Sequence, residues 1–272
     1  MKITAKTLNI ITIIISVISF VMALFRGYVL VNFVDESGLY TNDVAGGIFF
    51  ACIAILALAV IAVYFFLKSK DLSDIYPAHN VKTEKAAFIM LALSFICLFA
   101  TKITAFISGG VLSQIQLILC AFSVIYFVIA IFQNKQSGKS SAFFGIFGLV
   151  PSLWAAIRAI SIFMDVTTQI NSSERSLILT LLVCVMMMFV NEAETFKPFA
   201  QEENVKAEQN KRSAKSFAFA LIVLAFSFIV FVSHIIQLVF TGAVNDASGI
   251  IISVGAGVYA LSILAAGSKQ VD

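Results

Sequence analysis

The sequence predicts an all-α fold: a polytopic membrane helical bundle of eight transmembrane helices, with both termini cytoplasmic. Three observations carry that prediction. The composition has too much apolar surface for any water-soluble core of this length, eight apolar runs are long enough to span a bilayer, and the cations between those runs fall almost entirely on alternate sides. Of 272 residues, 60% are hydrophobic and only 12% charged, against ~25% charged in soluble domains, and the mean hydropathy is +1.01. Such an excess of apolar surface needs an apolar solvent.

A helix needs roughly 20 mostly apolar residues to cross a hydrocarbon core of about 30 Å. The first candidate, Leu8–Val31, follows Lys2 and Lys6 as a secretory signal would. Its apolar run continues to Phe25 without an A-x-A-like cleavage site, so it reads as a retained helix. The second, third and fourth candidates are Gly46–Leu67, Ala86–Ile107 and Leu112–Phe132. Ala142–Phe163 is the fifth; Pro151 removes a backbone donor near its middle and predicts a kink, with Trp154 one turn later. In the sixth, Ser176–Phe196, the clean apolar run stops at Val190, and a full span takes in Asn191 and Glu192. Phe217–Phe240 and Ser248–Ala266 complete the set. Uninterrupted runs of this length exclude barrel strands, which alternate polar and apolar over about 10 residues.

Fourteen of the eighteen Lys and Arg residues lie at one set of segment ends: Lys2, Lys6, Lys68, Lys70, Lys82, Lys85, Lys135, Lys139, Lys197, Lys206, Lys211, Arg212, Lys215 and Lys269. The opposite loops hold Arg175 together with Asp35, Glu36, Asp43, Asp165, Glu174 and Asp246. Lys and Arg mark cytoplasmic loops, so the lysine-rich ends are assigned inside. The net charge of +3 is dispersed over these loops among Asp and Glu, and it points to no nucleic-acid partner. Heavy use of Lys over Arg, with much Ile and Phe, suits a bacterium with an AT-rich genome, and the expected location is its cytoplasmic membrane.

Arg26, Lys102 and Arg158 lie outside both groups of loop residues, and they recur with His234 at matching places late in the odd-numbered segments. The spacings are 76, 56 and 76, so Arg26 maps to Arg158 and Lys102 to His234 with one offset of 132. This predicts four hairpin repeats arranged as a parallel tandem duplication, residues 1–132 and 133–272, each half containing four helices and the two together forming one membrane domain. Ionisable groups inside a membrane face the bundle interior or a water-filled cavity, or snorkel to headgroups. Arg26, Lys102, Arg158 and His234 are therefore candidate binding residues for a small anionic ligand or a lipid headgroup in an outward-facing pocket, with snorkelling as the competing reading.

Glu192 is the candidate ion-coupling carboxylate, and Asn191 and Glu194 close the same segment. Gly249, Ser253 and Gly257 recur every four residues and predict close helix packing, inside the bundle or in a homodimer. Cys52, Cys97, Cys120 and Cys184 lie in apolar runs without CxxC spacing and read as packing thiols. There is no HExxH, GxSxG, paired acidic motif or phosphate-cradling glycine loop, and no His/Cys/carboxylate cluster suited to a metal. No catalytic residue, metal or cofactor is assigned, and an enzyme is not expected. The expected role is a binding, sensory or structural membrane module with membrane lipid as its surroundings. The alternative is a small-solute transporter built from two repeated halves.

Overall fold

A computed structural model of the chain describes residues 3–35, 39–70, 72, 81–108, 110–132, 145–165, 173–195, 205–242 and 247–266. Its helices are α1 (Ala5–Asn32), α2 (Asp43–Lys68), α3 (Val81–Ser108), α4 (Val111–Phe132), α5 (Leu149–Met164), α6 (Ser173–Thr195), α7 (Val205–Thr241) and α8 (Ala247–Ala266). Each of the eight predicted segments corresponds to a helix long and apolar enough to cross a membrane, as a multi-pass membrane protein requires. Lys135, Lys139, Lys197, Lys269 and His79 lie outside the described residues.

The two largest boundary differences from the sequence reading each have a local reason. The seventh helix begins at Val205 rather than Phe217, so Lys206, Lys211, Arg212 and Lys215 ride on a helical extension instead of a loop. This stretch has good helix formers and no Pro or Gly before Phe217. In the fifth segment a helical turn at 145–147 breaks at Gly148 before α5 resumes at Leu149. Pro151 cannot donate to residue 147, and its ring crowds that carbonyl. Gly148 itself keeps helical dihedrals, φ −61° and ψ −17°, so the interruption lies in the hydrogen-bond ladder one turn ahead of the proline.

The packing follows from which helices are apolar on every side. In α7, Phe217, Leu221, Leu224, Phe226, Ile229 and Val230 are all buried, and these positions do not share one face. A helix that buries its whole circumference belongs at the centre. Accordingly α7 packs against α1, α2, α6 and α8. The apolar windows of α6, α7 and α8 are each 61% buried, against 17% for α2. From α7 the contacts run to α8, α3, α4, α5 and α6 and back to α7, a closed ring of six helices with α1 and α2 laid outside on α7.

The outer helices show their solvent plainly. On α1, Ile10, Ile13, Ile14, Val17, Val21 and Leu24 are exposed, while Leu8, Ile15, Ser19, Met22, Arg26 and Val29 are buried. Both sets follow the three- and four-residue spacing of a helix, and the exposed one is an apolar stripe fit only for lipid. Thr4 caps α1 by accepting from the Thr7 amide, and Asn42 caps α2 by accepting from the Val44 and Ala45 amides, so both helix starts are satisfied locally.

The ring is filled by aromatic side chains that meet across it. Phe95 of α3 meets Trp154 of α5 edge-on at 5.0 Å, Phe127 of α4 meets Phe189 of α6 at 5.9 Å, and Phe189 stacks on Tyr259 of α8 at 5.7 Å. Phe88 closes the circuit against Phe127 and Tyr259. Each cross-ring pair skips an intervening helix, so together they form a plug through the ring.

Close approach depends on glycine at three helix crossings. A Cβ on Gly257 would lie 3.0 Å from the Ser227 Cβ, and one on Gly255 would lie 2.5 Å from the Ser94 Oγ. The Gly249, Ser253 and Gly257 stripe therefore includes a contact of α8 with α7. A Cβ on Gly27 would fall 2.6 Å from the Ile236 Cδ1. Gly27→Val should accordingly lower stability by about 1–3 kcal/mol through overpacking, whereas Gly47→Ala, with nothing within 4 Å of its added methyl, should cost nothing. Thermal melts of the detergent-solubilised variants check this, and equal losses in both would contradict the α1–α7 packing.

Candidate functional site

The four repeated basic residues occupy different environments. Arg26 lies on the buried stripe of α1 and has no exposed surface. The described residues on either side of 36–38 pair with one another: Asp35 donates its amide to the Leu39 carbonyl, Thr41 donates to the Phe33 carbonyl, and Val34 pairs with Tyr40. This returns Tyr40 to the bundle, where its ring sits on Gly46. The Arg26 Nη1 donates to the Tyr40 hydroxyl at 2.9 Å, and the guanidinium lies 4.7 Å from the centre of the buried Phe49 ring. Arg26 therefore does not snorkel. It joins α1 to α2 by a charge-assisted hydrogen bond and a desolvated cation–π contact.

Lys102 and Arg158 belong to the ring. On α3 the buried series Phe88, Leu91, Phe95 and Leu98 continues at helical spacing to Lys102, which is half-buried. On α5, Arg158 lies one turn beyond Trp154 and donates from Nη2 to the Ser248 Oγ at 2.9 Å. Ser248 extends the buried series Ile252, Ala256 and Tyr259 of α8. On α4, Gln116 extends the series Cys120, Ser123 and Phe127; it is 5% exposed, and its Nε2 has no hydrogen-bond partner among the described residues. Lys102, Gln116, Arg158 and Ser248 thus share the ring-facing stripes, at the end away from the lysine-rich one. Lys102 stands about 10 Å beyond Phe95 along its helix.

His234 is fully buried on α7, with Nδ1 2.7 Å from the Val230 carbonyl. A carbonyl only accepts, so Nδ1 carries the proton in this geometry. Glu192, 6% exposed, lies on the α6 stripe of Val185, Met188 and Phe189, at the lysine-rich end of the ring. Asn191 and Glu194 sit on a different face of α6.

Arg175, the single loop cation of the opposite end, has a role that charge counting missed. Its Nη1 donates to the Asp165 carbonyl at 3.1 Å and its Nη2 to the Phe163 carbonyl. These are carbonyls at the C-terminus of α5, which helical geometry leaves without donors. A cation is favoured there by the helix dipole as well. The signal in the sequence was weak, because the residue and the helix end it serves lie ten positions apart.

Most buried hydroxyls are satisfied within their own helix. Ser19 donates to the Ile15 carbonyl, Ser123 to Leu119 and Ser253 to Ile250, at 2.7–2.8 Å. These groups line no polar route. Ser227 is the exception, buried with no partner among the described residues. It borders an apolar notch of about 160 Å³ between α7 and α8.

Comparison of the chain with protein-family models, with curated proteins and with solved structures returned no significant match.

The Arg26–Tyr40 contact yields a thermodynamic test. Tyr40→Phe removes the acceptor from a buried donor and should lower stability by about 1–3 kcal/mol. Once Arg26→Met is in place, the same change should cost much less, since the two groups act through one bond. Chemical or thermal unfolding of the two single variants and the double variant measures the coupling, and strictly additive losses would show that the contact contributes nothing.

Proposed function

We propose that this chain is a non-enzymatic, multi-pass membrane binding module, with both termini cytoplasmic, that holds a small anion or anionic headgroup at the outward mouth of its six-helix ring. The observation that supports this reading is the combination found on the ring-facing stripes. Two cations, Lys102 and Arg158, stand above an interior filled by Phe95, Phe127, Trp154, Phe189 and Tyr259. Cations over an apolar floor favour an anion, because the surroundings screen charge poorly. The Gln116 Nε2 is a further donor lacking an acceptor among the described residues. Arg26 and His234 act beside this mouth: Arg26 fastens α1 and α2, and His234 sits on the neighbouring central helix.

The transporter reading uses the 132-residue offset and a rocking of residues 1–132 against 133–272 around a midplane site. The break at Gly148 and the buried carboxylate of Glu192 favour it. The aromatic contacts across the ring weigh against it, since a substrate path needs polar groups where these rings pack. A homodimer through Gly249, Ser253 and Gly257 would have to share a stripe that already meets Ser227 of the same chain.

Phosphate and sulfate should raise the melting temperature of the purified protein in a saturable way, by mass action. The double variant Lys102→Gln, Arg158→Gln should abolish that response while remaining folded. In a cysteine-free background, Lys102→Cys should react with an impermeant thiosulfonate added outside intact cells, and phosphate should slow the reaction. An unchanged response in the double variant, or labelling only from inside, would overturn the proposal.

A further inference from the structure

Away from the ring mouth, at the lysine-rich end, α2 and α6 both rest on α7 and leave a groove of about 360 Å³ between them. That volume falls in the ~300–1,000 Å³ range of small-ligand sites. We infer that this groove binds one zwitterionic phospholipid of the cytoplasmic leaflet, with its acyl chain along the groove, its phosphate at Lys215 and its primary ammonium at Asn191 and Glu194. The inference rests on the orientation and the binding-module reading proposed above.

The chemistry of the walls is graded in one direction on all three helices. On α6 it passes from Glu194 through Asn191 to Met187, on α7 from Lys215 through Phe219 to Ile222, and on α2 from Tyr64 through Ile61 to Val60. Each helix is polar toward the lysine-rich end and apolar toward the middle of the bundle. The ligand that matches is an amphiphile lying along the helices with its head at that end. From Glu194 to Met187 the wall rises about 10 Å, a third of a hydrocarbon core of about 30 Å. A spanning helix from a partner would find a wall too short for it, while the upper part of a lipid is accommodated.

The polar end selects among headgroups. The Lys215 Nζ and the Glu194 carboxylate lie 3.6 Å apart, with side chains 34% and 39% exposed. The groove is lined by one cation and one anion, Lys215 and Glu194, and one turn further out Arg212 donates from Nη1 to the Glu194 main-chain carbonyl at 3.1 Å. A half-exposed pair of this kind is held weakly, so each member can turn to a headgroup group of opposite sign. One turn deeper, Asn191 is 4% exposed, and its Oδ1 has no hydrogen-bond partner among the described residues. A buried carbonyl oxygen without a donor needs explanation. An ammonium supplies that donor, and Glu194 on the same wall accepts as well. Two acceptors and one cation along a groove fit a headgroup with an ammonium and a phosphate better than they fit a phosphate alone.

Native mass spectrometry of the full chain, exchanged into micelles containing phosphatidylethanolamine and phosphatidylglycerol in equal amounts, tests this. One phosphatidylethanolamine should remain bound per chain in preference to phosphatidylglycerol. The same lipid should raise the melting temperature, and water-soluble phosphoethanolamine should not. Asn191→Leu should weaken retention at least tenfold. Ile61→Trp, which fills the groove from its exposed side, should also displace the lipid, and it decides the matter if Asn191→Leu fails to fold. Equal retention of both lipids, equal stabilisation by phosphoethanolamine, retention unchanged in a folded variant, or a bound polypeptide in place of lipid would each overturn the inference. If the lipid is absent while phosphate still stabilises through Lys102 and Arg158, only the groove assignment fails.

Discussion

Lipid can cover an apolar helix face, so what sets α7 apart is that none of its residues over 216–230 is exposed and protein neighbours surround that stretch. Phe217, Leu221, Leu224, Phe226, Ile229 and Val230 cannot all be covered by a single partner. Contacts with α1, α2, α6 and α8 together do so. Those contacts require near approach of backbones, which explains why small side chains or glycine stand at Gly27 against Ile236 and at Gly257 against Ser227. Without water between the helices, packing of this kind is a main source of association. The ring of α3 to α8 and the lateral placement of α1 and α2 then follow from what remains of the α7 surface.

The same solvent dictates how polar atoms are treated. Hydroxyls donate to carbonyls of their own helix, as Ser19, Ser123 and Thr180 do. Three cations near the opposite end have named partners: Arg26 has Tyr40 and Phe49, Arg158 has Ser248, and Arg175 has the carbonyls that end α5. Burying charge without such partners is expensive in lipid. Gln116, Asn191, Ser227 and Gln237 each keep a buried polar atom with no hydrogen-bond partner among the described residues. Two of these, Gln116 and Asn191, lie at the proposed ring mouth and in the groove.

The helices were legible in the sequence because span length is set by membrane thickness and requires no knowledge of neighbours. The break beside Pro151 was legible for a similar reason, being a property of the local backbone. The destinations of the basic residues were much less so. Arg26 and Arg158 take matching places in the sequence pattern, yet one faces Tyr40 and Phe49 while the other lies on the ring-facing stripe of α5. Which way a residue points depends on which side of its helix is covered, and nearly every side of these helices is apolar. Lys215 counted only toward orientation, since nothing local to it shows that Glu194 of another helix lies within reach. Arg175 read as a loop charge because its partners are backbone carbonyls, to which composition is blind.

Trp154, the single tryptophan of the chain, provides the most direct measurement of whether the ring is closed by packed aromatic side chains. It is 3% exposed and stands edge-on to Phe95. Fluorescence of the protein in lipid nanodiscs should therefore show blue-shifted emission that neither iodide nor acrylamide quenches from the aqueous phase. Red-shifted emission, or quenching by either agent in the folded protein, would mean that water reaches the middle of the ring and would contradict the sealed floor on which the proposed function rests.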